Sequence, residues 1–144
     1  MKSKIMLLFS ILVLTSCDNQ IVYSHYEPTP LSGWHKDSVY TYDFSVEDTV
    51  SSYQVIVNFR HTDFYPYQNM WLFVNNDTIE FYLADDRGKW LGKGRNGIIN
   101  MPVLYEDSIR FTNRGVNTIS VQHAMRDSLL RGVSDVGITI RKNG

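Results

Sequence analysis

Acidic side chains are the first residues here that could perform a hydrolytic reaction. A glycosidase needs only two carboxyl groups flanking the scissile bond, one to donate a proton and one to attack or to activate water. The candidate acids are Glu80, Asp85, Asp86, Glu106 and Asp107. The sequence does not pair them, and Asp85 stands directly before a turn, where a carboxylate commonly caps backbone amides. A hydrolase is therefore the third of three functional hypotheses.

Motifs for a nucleophile, a phosphate site or a metal site do not occur in the sequence. There is no Gly-x-Ser-x-Gly elbow, and the Gly-Lys pairs within residues 88–97 lack the spacing and the Ser/Thr of a phosphate loop. Four histidines stand at spacings that match no zinc pattern, namely His25, His35, His61 and His123. We therefore predict no catalytic residue, no metal and no cofactor, and interpret the last two histidines as polar core or surface residues.

Cys17 is the residue whose sequence context most clearly indicates a chemical role. Leu14-Thr15-Ser16-Cys17 resembles the bacterial lipobox, in which a cysteine is thioether-linked to diacylglycerol before the chain is cut. Cys17 is the only cysteine, which excludes an internal disulfide and a second thiol for catalysis. We predict that it carries the lipid that attaches the chain to a membrane. The alternative is an ordinary secretory signal with a chance cysteine near the cut.

The residues before Cys17 have the features of a signal peptide. Lys2 and Lys4 give a positive start, and Ile5 to Leu14 is an apolar stretch interrupted only by Ser10. This stretch is too short for a permanent span, which needs ~20 apolar residues. Residues 1–16 are thus predicted to be removed, and residues 17–37, with Pro28, Pro30 and Gly33, to be a lipidated tether.

The composition of the remaining chain argues against nucleic acid as a partner. Of 14 basic residues two lie in the leader, so 12 remain against 15 acids and the net charge changes from −1 to −3. The basic residues of the glycine-rich stretch are dispersed, unlike the dense basic footprint of nucleic-acid binders. The length remaining suits one domain.

Apolar residues from Val39 onward recur with a period of two, which predicts strands. Residues 40–46 and 53–60 alternate, residues 70–74 and 79–83 flank an Asn-rich turn, and residues 103–111, 116–121 and 136–141 give further candidates. Residues 85–97 are interpreted as a long ordered loop and residues 122–131 as a helical turn ended by Gly132. We predict a single all-β antiparallel sandwich or jelly-roll-like domain over 38–144.

Exposed aromatic side chains give the other route to function. Tyr65, Tyr67, Trp71 and Trp90 could stack on sugar rings or fill a pocket of a partner protein. Trp71 lies inside an apolar run and is predicted to be buried, whereas Tyr65-Pro66-Tyr67 lies in a polar connection and is predicted to be exposed.

Several short motifs follow one another along the chain. They are Arg60-His61, Tyr65-Pro66-Tyr67, Asn69-Met70-Trp71-Leu72-Phe73, Asp77-Thr78-Ile79-Glu80, Leu83-Ala84-Asp85, Gly88-Lys89-Trp90-Leu91-Gly92-Lys93-Gly94, Gln122-x-x-Met125-Arg126 and Gly132-Val133-x-Asp135-Val136-Gly137. In this order they resemble the gliding-motility lipoprotein GldH family of Bacteroidetes. The resemblance runs from about Trp34 to the C-terminus. It implies a cell-envelope lipoprotein of the gliding machinery and its linked secretion system, with no assigned catalytic residues.

These observations together predict a non-enzymatic component that contacts other envelope proteins. Residues 65–71 and 85–94 are the expected contact segments. The candidate contact residues are Arg60, His61, Tyr65, Tyr67, Asn69, Asp85, Lys89, Trp90, Arg126 and Asp135. The second hypothesis is a glycan- or peptidoglycan-binding module, so a glycan is an alternative partner. The lipid is expected in the outer membrane facing the periplasm; the inner membrane is the alternative, since Asp18 after Cys17 signals retention there in enterobacteria.

Overall fold

A computed structural model describes residues 20–144, and over this range the chain forms only strands and their connections. All strand pairs are antiparallel. The strands are β1 (Ile21–Pro28), β2 (Trp34–His35), β3 (Tyr40–Val46), β4 (Tyr53–His61), β5 (Asn69–Val74), β6 (Asp77–Tyr82), β7 (Lys93–Arg95), β8 (Ile98–Ile109), β9 (Gly115–His123), β10 (Leu129–Leu130) and β11 (Val133–Lys142). The all-β antiparallel prediction is confirmed. Within residues 20–144 there is no helix that could cross a membrane.

Two sheets pack face to face to form the sandwich. The five-stranded sheet has the order β1-β11-β4-β8-β7, the four-stranded sheet has the order β3-β9-β5-β6, and β2 pairs with β10. Along β3 the side chains of Tyr42, Phe44 and Val46 are buried and those between them are exposed, as the period of two predicts. The core lies between the inward-facing side chains of the two sheets.

The hairpins follow the turn chemistry of the sequence. The predicted β5–β6 hairpin is confirmed, and Asn75 at its turn has a φ of 52°. A second hairpin, β7–β8, turns at Asn96-Gly97 with φ values of 53° and 78°, the pair of positive angles that a two-residue turn requires. The long loop expected to end at Gly97 therefore ends at Gly92.

The predicted tether over residues 17–37 differs from the structure, because the sandwich already begins at Ile21. β1 pairs with β11 from Ile21 to Pro28, and Trp34 is fully buried. β1 is an edge strand with most of its side chains exposed, so it lacks the alternation by which the other strands were predicted. Residues 1–19, including the predicted signal peptide and Cys17, lie outside the described residues, and those predictions stand as made.

The helical turn predicted at residues 122–131 is wrong. β9 continues to His123, which pairs with Leu72 of β5 and is buried, and residues 129–130 form β10. Strand pairing with two neighbours overrides the weak helical propensity of this segment.

The two ends of the sandwich carry different segments. We define the loop end as residues 29–33, 62–68, 83–92 and 124–132, which follow or precede β1, β4, β5, β6, β9 and β11. We define the terminal end as residues 20, 47–52, 110–114 and 142–144. Backbone hydrogen bonds of 2.8 Å from Lys142 to Gln20 and 3.0 Å from Asn143 to Ser52 hold the terminal end together.

Candidate functional site

Most of the predicted contact residues meet at the loop end. The two contact segments, residues 65–71 and 85–94, lie side by side there, because Leu83 and Ala84 donate backbone hydrogen bonds to the carbonyl of Gln68. Tyr67 stands between two shallow grooves, one on each side. The loop end is therefore the candidate functional site.

The first groove, of about 430 Å³, joins the start of β5 to the connection after β9. Its walls are Tyr67, Asn69, Trp71 and residues 124–127. The Tyr67 hydroxyl donates to both carboxylate oxygens of Asp127, at 2.7 and 2.9 Å. This bond raises the pKa of Tyr67, since losing the proton would place two negative charges together. Arg126 is exposed beside this pair.

Trp71 is 38% exposed, so the prediction that it is buried is wrong. Its neighbours Met70 and Leu72 point inward, and in a strand the residue between them must point outward. Its backbone N–H lies 3.3 Å from the sulfur of Met125. Trp71 is therefore a wall of the groove, although it lies within a continuous apolar run.

The second groove, of about 220 Å³, lies between residues 65–68 and residues 84–90. Asp85 accepts hydrogen bonds of 2.9 Å from the backbone N–H groups of Arg87 and Lys89. It therefore caps the turn, as its position before the turn suggested. The Lys89 side chain is exposed at the rim of this turn.

Trp90, His61 and Tyr65 form a packed cluster beneath the second groove. The Trp90 ring lies edge-on to His61 at 4.6 Å, and its N–H donates to Asp63 at 2.8 Å. His61 is fully buried, its Nδ1 lies 3.0 Å from the Thr62 carbonyl, and burial lowers its pKa. These contacts stabilise the loops, so His61 belongs to the core and offers no accessible contact.

Tyr65 is 3% exposed, and the prediction that it lies on the surface is wrong. Its hydroxyl donates to the Asn69 carbonyl at 2.6 Å, so a polar connection can still bury an aromatic ring that satisfies its own hydroxyl. Burial raises the pKa of Tyr65. Of the Tyr65-Pro66-Tyr67 segment, Pro66 and Tyr67 remain exposed.

Arg60 and Asp135 lie apart from the grooves, on the outer face of the five-stranded sheet. Arg60 Nε donates to Asp135 at 2.7 Å, and its guanidinium lies 5.1 Å from the centre of the Tyr26 ring. The Tyr26 ring covers Gly137, where a Cβ would overlap it. Burial raises the pKa of Asp135 although Arg60 opposes the shift. This cluster fastens the edge strand β1 to β11.

An apolar recess at the loop end was not found from the sequence. It has a volume of about 870 Å³ and extends over the ends of β1, β4 and β11. Leu31 is completely exposed at its rim, Phe64 is 84% exposed, and Leu129 and Ile98 contribute further apolar surface. Single apolar residues in turns have no periodicity, so no sequence signal grouped them.

Three of the five candidate acids are engaged in hydrogen bonds within the fold. Glu80 accepts a hydrogen bond from Asn69 on the neighbouring strand, Asp85 caps its turn, and Asp107 accepts one from Gln54 of β4. Across residues 20–144 no three His, Cys, Asp or Glu side chains are grouped as a metal site would require.

Exposed aromatic side chains also share the outer face of the four-stranded sheet. Trp71 and Phe73 are two residues apart on β5, and Tyr82 lies opposite Asn69 on β6, which places all three rings on one face. The glycan-binding hypothesis predicts a row of coplanar exposed rings on one sheet face, and these three rings share such a face.

Comparison with known proteins identifies the family. The GldH lipoprotein family matches residues 21–140. The gliding motility lipoprotein GldH homolog of Christiangramia forsetii is 31% identical, over 94% of this chain and 93% of that protein. The gliding motility lipoprotein GldH of Flavobacterium johnsoniae is also 31% identical, over 98% of this chain and 97% of that protein.

A solved structure, dimeric latent PorU from Porphyromonas gingivalis, resembles 87% of this chain over 13% of its own, with a TM-score of 0.41 and 10% identity. A likeness this weak supports no conclusion about function. The family is instead shown by the match over residues 21–140 and by the two relatives that align over nearly their full length. The chain belongs to the GldH lipoprotein family.

Proposed function

We propose that this chain is a lipid-anchored accessory or assembly component of the gliding-motility machinery and its associated secretion system, and that it acts by binding another envelope protein through its loop end. The supporting observation is the convergence of both expected contact segments on Tyr67, beside an exposed apolar recess. The relatives are named as gliding-motility lipoproteins. Attachment is through Cys17, the only cysteine.

The physical character of the loop end favours a protein partner. Monomeric proteins seldom expose contiguous large apolar side chains without a binding role, and Leu31, Phe64 and Leu129 do so together. Beside them the first groove carries Trp71 and Arg126, two residue types that contribute strongly to protein interfaces. A partner that covers both would bury an apolar centre within a polar rim.

The location proposed for the domain is the periplasmic face of the outer membrane. The inner membrane is the alternative location. Fractionation of the host envelope with the lipidated chain distinguishes the two.

Crosslinking in the host tests the proposed partner contact directly. A photoreactive residue at Phe64 is expected to crosslink one specific envelope protein, and the same residue at Leu104, exposed on β8 away from the loop end, is expected not to. The substitutions Phe64→Ser and Arg126→Ala should then impair spreading or secretion at normal protein level. Arg95→Ala on β7, where the side chain is exposed and lines neither groove nor the recess, is the matched control for the arginine. Full function of both loop-end variants would contradict the proposal.

A second candidate function is glycan binding by the aromatic face that carries Trp71, Phe73 and Tyr82. Rings on one sheet face can stack on successive sugars. Peptidoglycan pull-down with Phe73→Ala and Tyr82→Ala separates the two functions, because neither residue lines the grooves or the recess.

A further inference from the structure

The described chain begins at the terminal end of the sandwich, opposite the loop end. Gln20 accepts the backbone hydrogen bond of Lys142, and β1 then runs eight residues from Ile21 to Pro28 towards the loop end. At ~3.3 Å per residue this strand separates the two ends by about 26 Å.

The covalent distance between Cys17 and Gln20 is short. Three residues span at most about 11 Å even when fully extended. A lipid on Cys17 would therefore hold the terminal end within that distance of the bilayer, and the loop end could not replace it there without turning the whole domain over.

The terminal end exposes an apolar side chain on one loop, and a second exposed apolar side chain lies next to this end at the start of β9. Val50 is 81% exposed in the loop between β3 and β4, and Val116 is 70% exposed beside the loop between β8 and β9. A cleft bordered by Asp48 and Arg114 connects the two loops. The Asp48 carboxylate is paired with Lys142 at 2.7 Å, which leaves Glu47 as the exposed acid of its loop.

We propose that the terminal end is a membrane-contact surface that rests in the headgroup layer of the bilayer, with Val50 and Val116 in contact with lipid. The short distance from Cys17 selects the bilayer as the occupant of this surface. Apolar side chains at the interface add to the anchoring that acyl chains provide. The inference rests on lipid attachment at Cys17 and is independent of the protein partner at the loop end.

Site-specific labelling of the lipidated full-length protein in phospholipid vesicles tests the contact. Because the lipid blocks the only native thiol, Asn113→Cys, Ser24→Cys and Ser32→Cys each provide a single labelling site at the terminal end, on the side at β1 and at the loop end. Each site receives an environment-sensitive fluorophore. Quenching of the fluorophore by nitroxide-labelled lipid headgroups in the vesicles reports contact with lipid. Quenching by soluble iodide reports exposure to water. Mass spectrometry of the same sample establishes the lipid on Cys17.

The proposal predicts loss of most emission to the nitroxide lipid at Asn113→Cys, and unchanged emission at the other two sites. Adding Val50→Asp and Val116→Asp should reduce that quenching while far-ultraviolet circular dichroism stays unchanged. Three results would each overturn the proposal. The first is quenching by the lipid at Ser32→Cys alone or at Ser24→Cys alone. The second is protection of Asn113→Cys from both quenchers by a second copy of the chain, and the third is an unmodified Cys17. None of these outcomes bears on the crosslink expected from Phe64.

Discussion

Replacement of Trp34 by alanine tests whether residues 21–37 belong to the folded domain. Trp34 is fully buried, stacks on Tyr40 with ring centres 4.8 Å apart, and donates its indole N–H to the Ser38 carbonyl at 2.9 Å. Its own carbonyl lies 3.0 Å from Nε2 of His123. Trp34→Ala removes the ring from the core and leaves a cavity.

The expected loss follows from the buried area. A tryptophan buries roughly 150–250 Å², and at ~25 cal/mol per Å² this corresponds to about 4–6 kcal/mol. Measured substitutions of buried Phe or Trp by Ala cost about 3–5 kcal/mol. We therefore expect Trp34→Ala to lower the free energy of unfolding by about 4 kcal/mol. With a urea m-value of about 2 kcal/mol/M, the unfolding midpoint falls by about 2 M.

The assay is urea unfolding of the chain from residue 18 onward, followed by far-ultraviolet circular dichroism so that loss of the indole does not disturb the signal. Leu31→Ala is the control within the same segment, since Leu31 is completely exposed and should change stability by less than about 0.5 kcal/mol. If Trp34→Ala does not fold, Trp34→Phe gives a smaller shift in the same direction. Equal urea midpoints for Trp34→Ala and Leu31→Ala would refute the reasoning and would favour the interpretation of this segment as a tether.

Three further predictions concern a close backbone approach, a buried histidine and an ion pair. Gly132→Ala should destabilise the domain by at least about 2 kcal/mol in the same assay, because its Cβ would overlap the Tyr65 backbone. Gly97→Ala is the control: it is also at positive φ but in open space, so it should cost only about 1 kcal/mol. Equal losses for the two variants would contradict the packing argument. Burial lowers the pKa of His61, so below about pH 6.5 the unfolded state binds more protons. The free energy of unfolding should therefore fall as the pH drops below about 6.5. Urea midpoints measured across this pH range should fall less for His61→Phe than for the unsubstituted chain. Arg60→Ala should destabilise by about 1–2 kcal/mol by leaving the half-buried Asp135 unpaired, without weakening the crosslink from Phe64; a lost crosslink at unchanged stability would return Arg60 to the contact surface.

The strands that could be predicted are those with one face in the core. β3 and β4 alternate between buried and outward-facing side chains, and the turn at Asn75 is polar, so these elements follow from periodicity. β1 could not be found in this way, because an edge strand that covers little core surface has no such pattern. The β7–β8 hairpin had a usable signal in Asn96-Gly97, a dipeptide that favours the two-residue turn.

The candidate site was predictable in part for a related reason. The two segments that the motifs singled out are neighbours in the fold, on either side of Tyr67. Burial of individual rings was not predictable, since it depends on partners distant in sequence: Tyr65 is covered by loop packing, and Trp71 is exposed by its register. The recess around Phe64 arises from turns that only the tertiary structure brings together.

The pairing of β1 with β11 determines when this fold can be completed. Ser24 and Thr139, which share a hydrogen bond across these strands, are 115 residues apart, so the first strand to leave a ribosome or a translocation channel has no partner until the last one follows. Closing so long a loop is slow compared with forming the local hairpins. In a chain exported through a narrow channel, β1 would therefore stay unpaired until β11 had passed through as well. Only then could β1 join the edge of the five-stranded sheet.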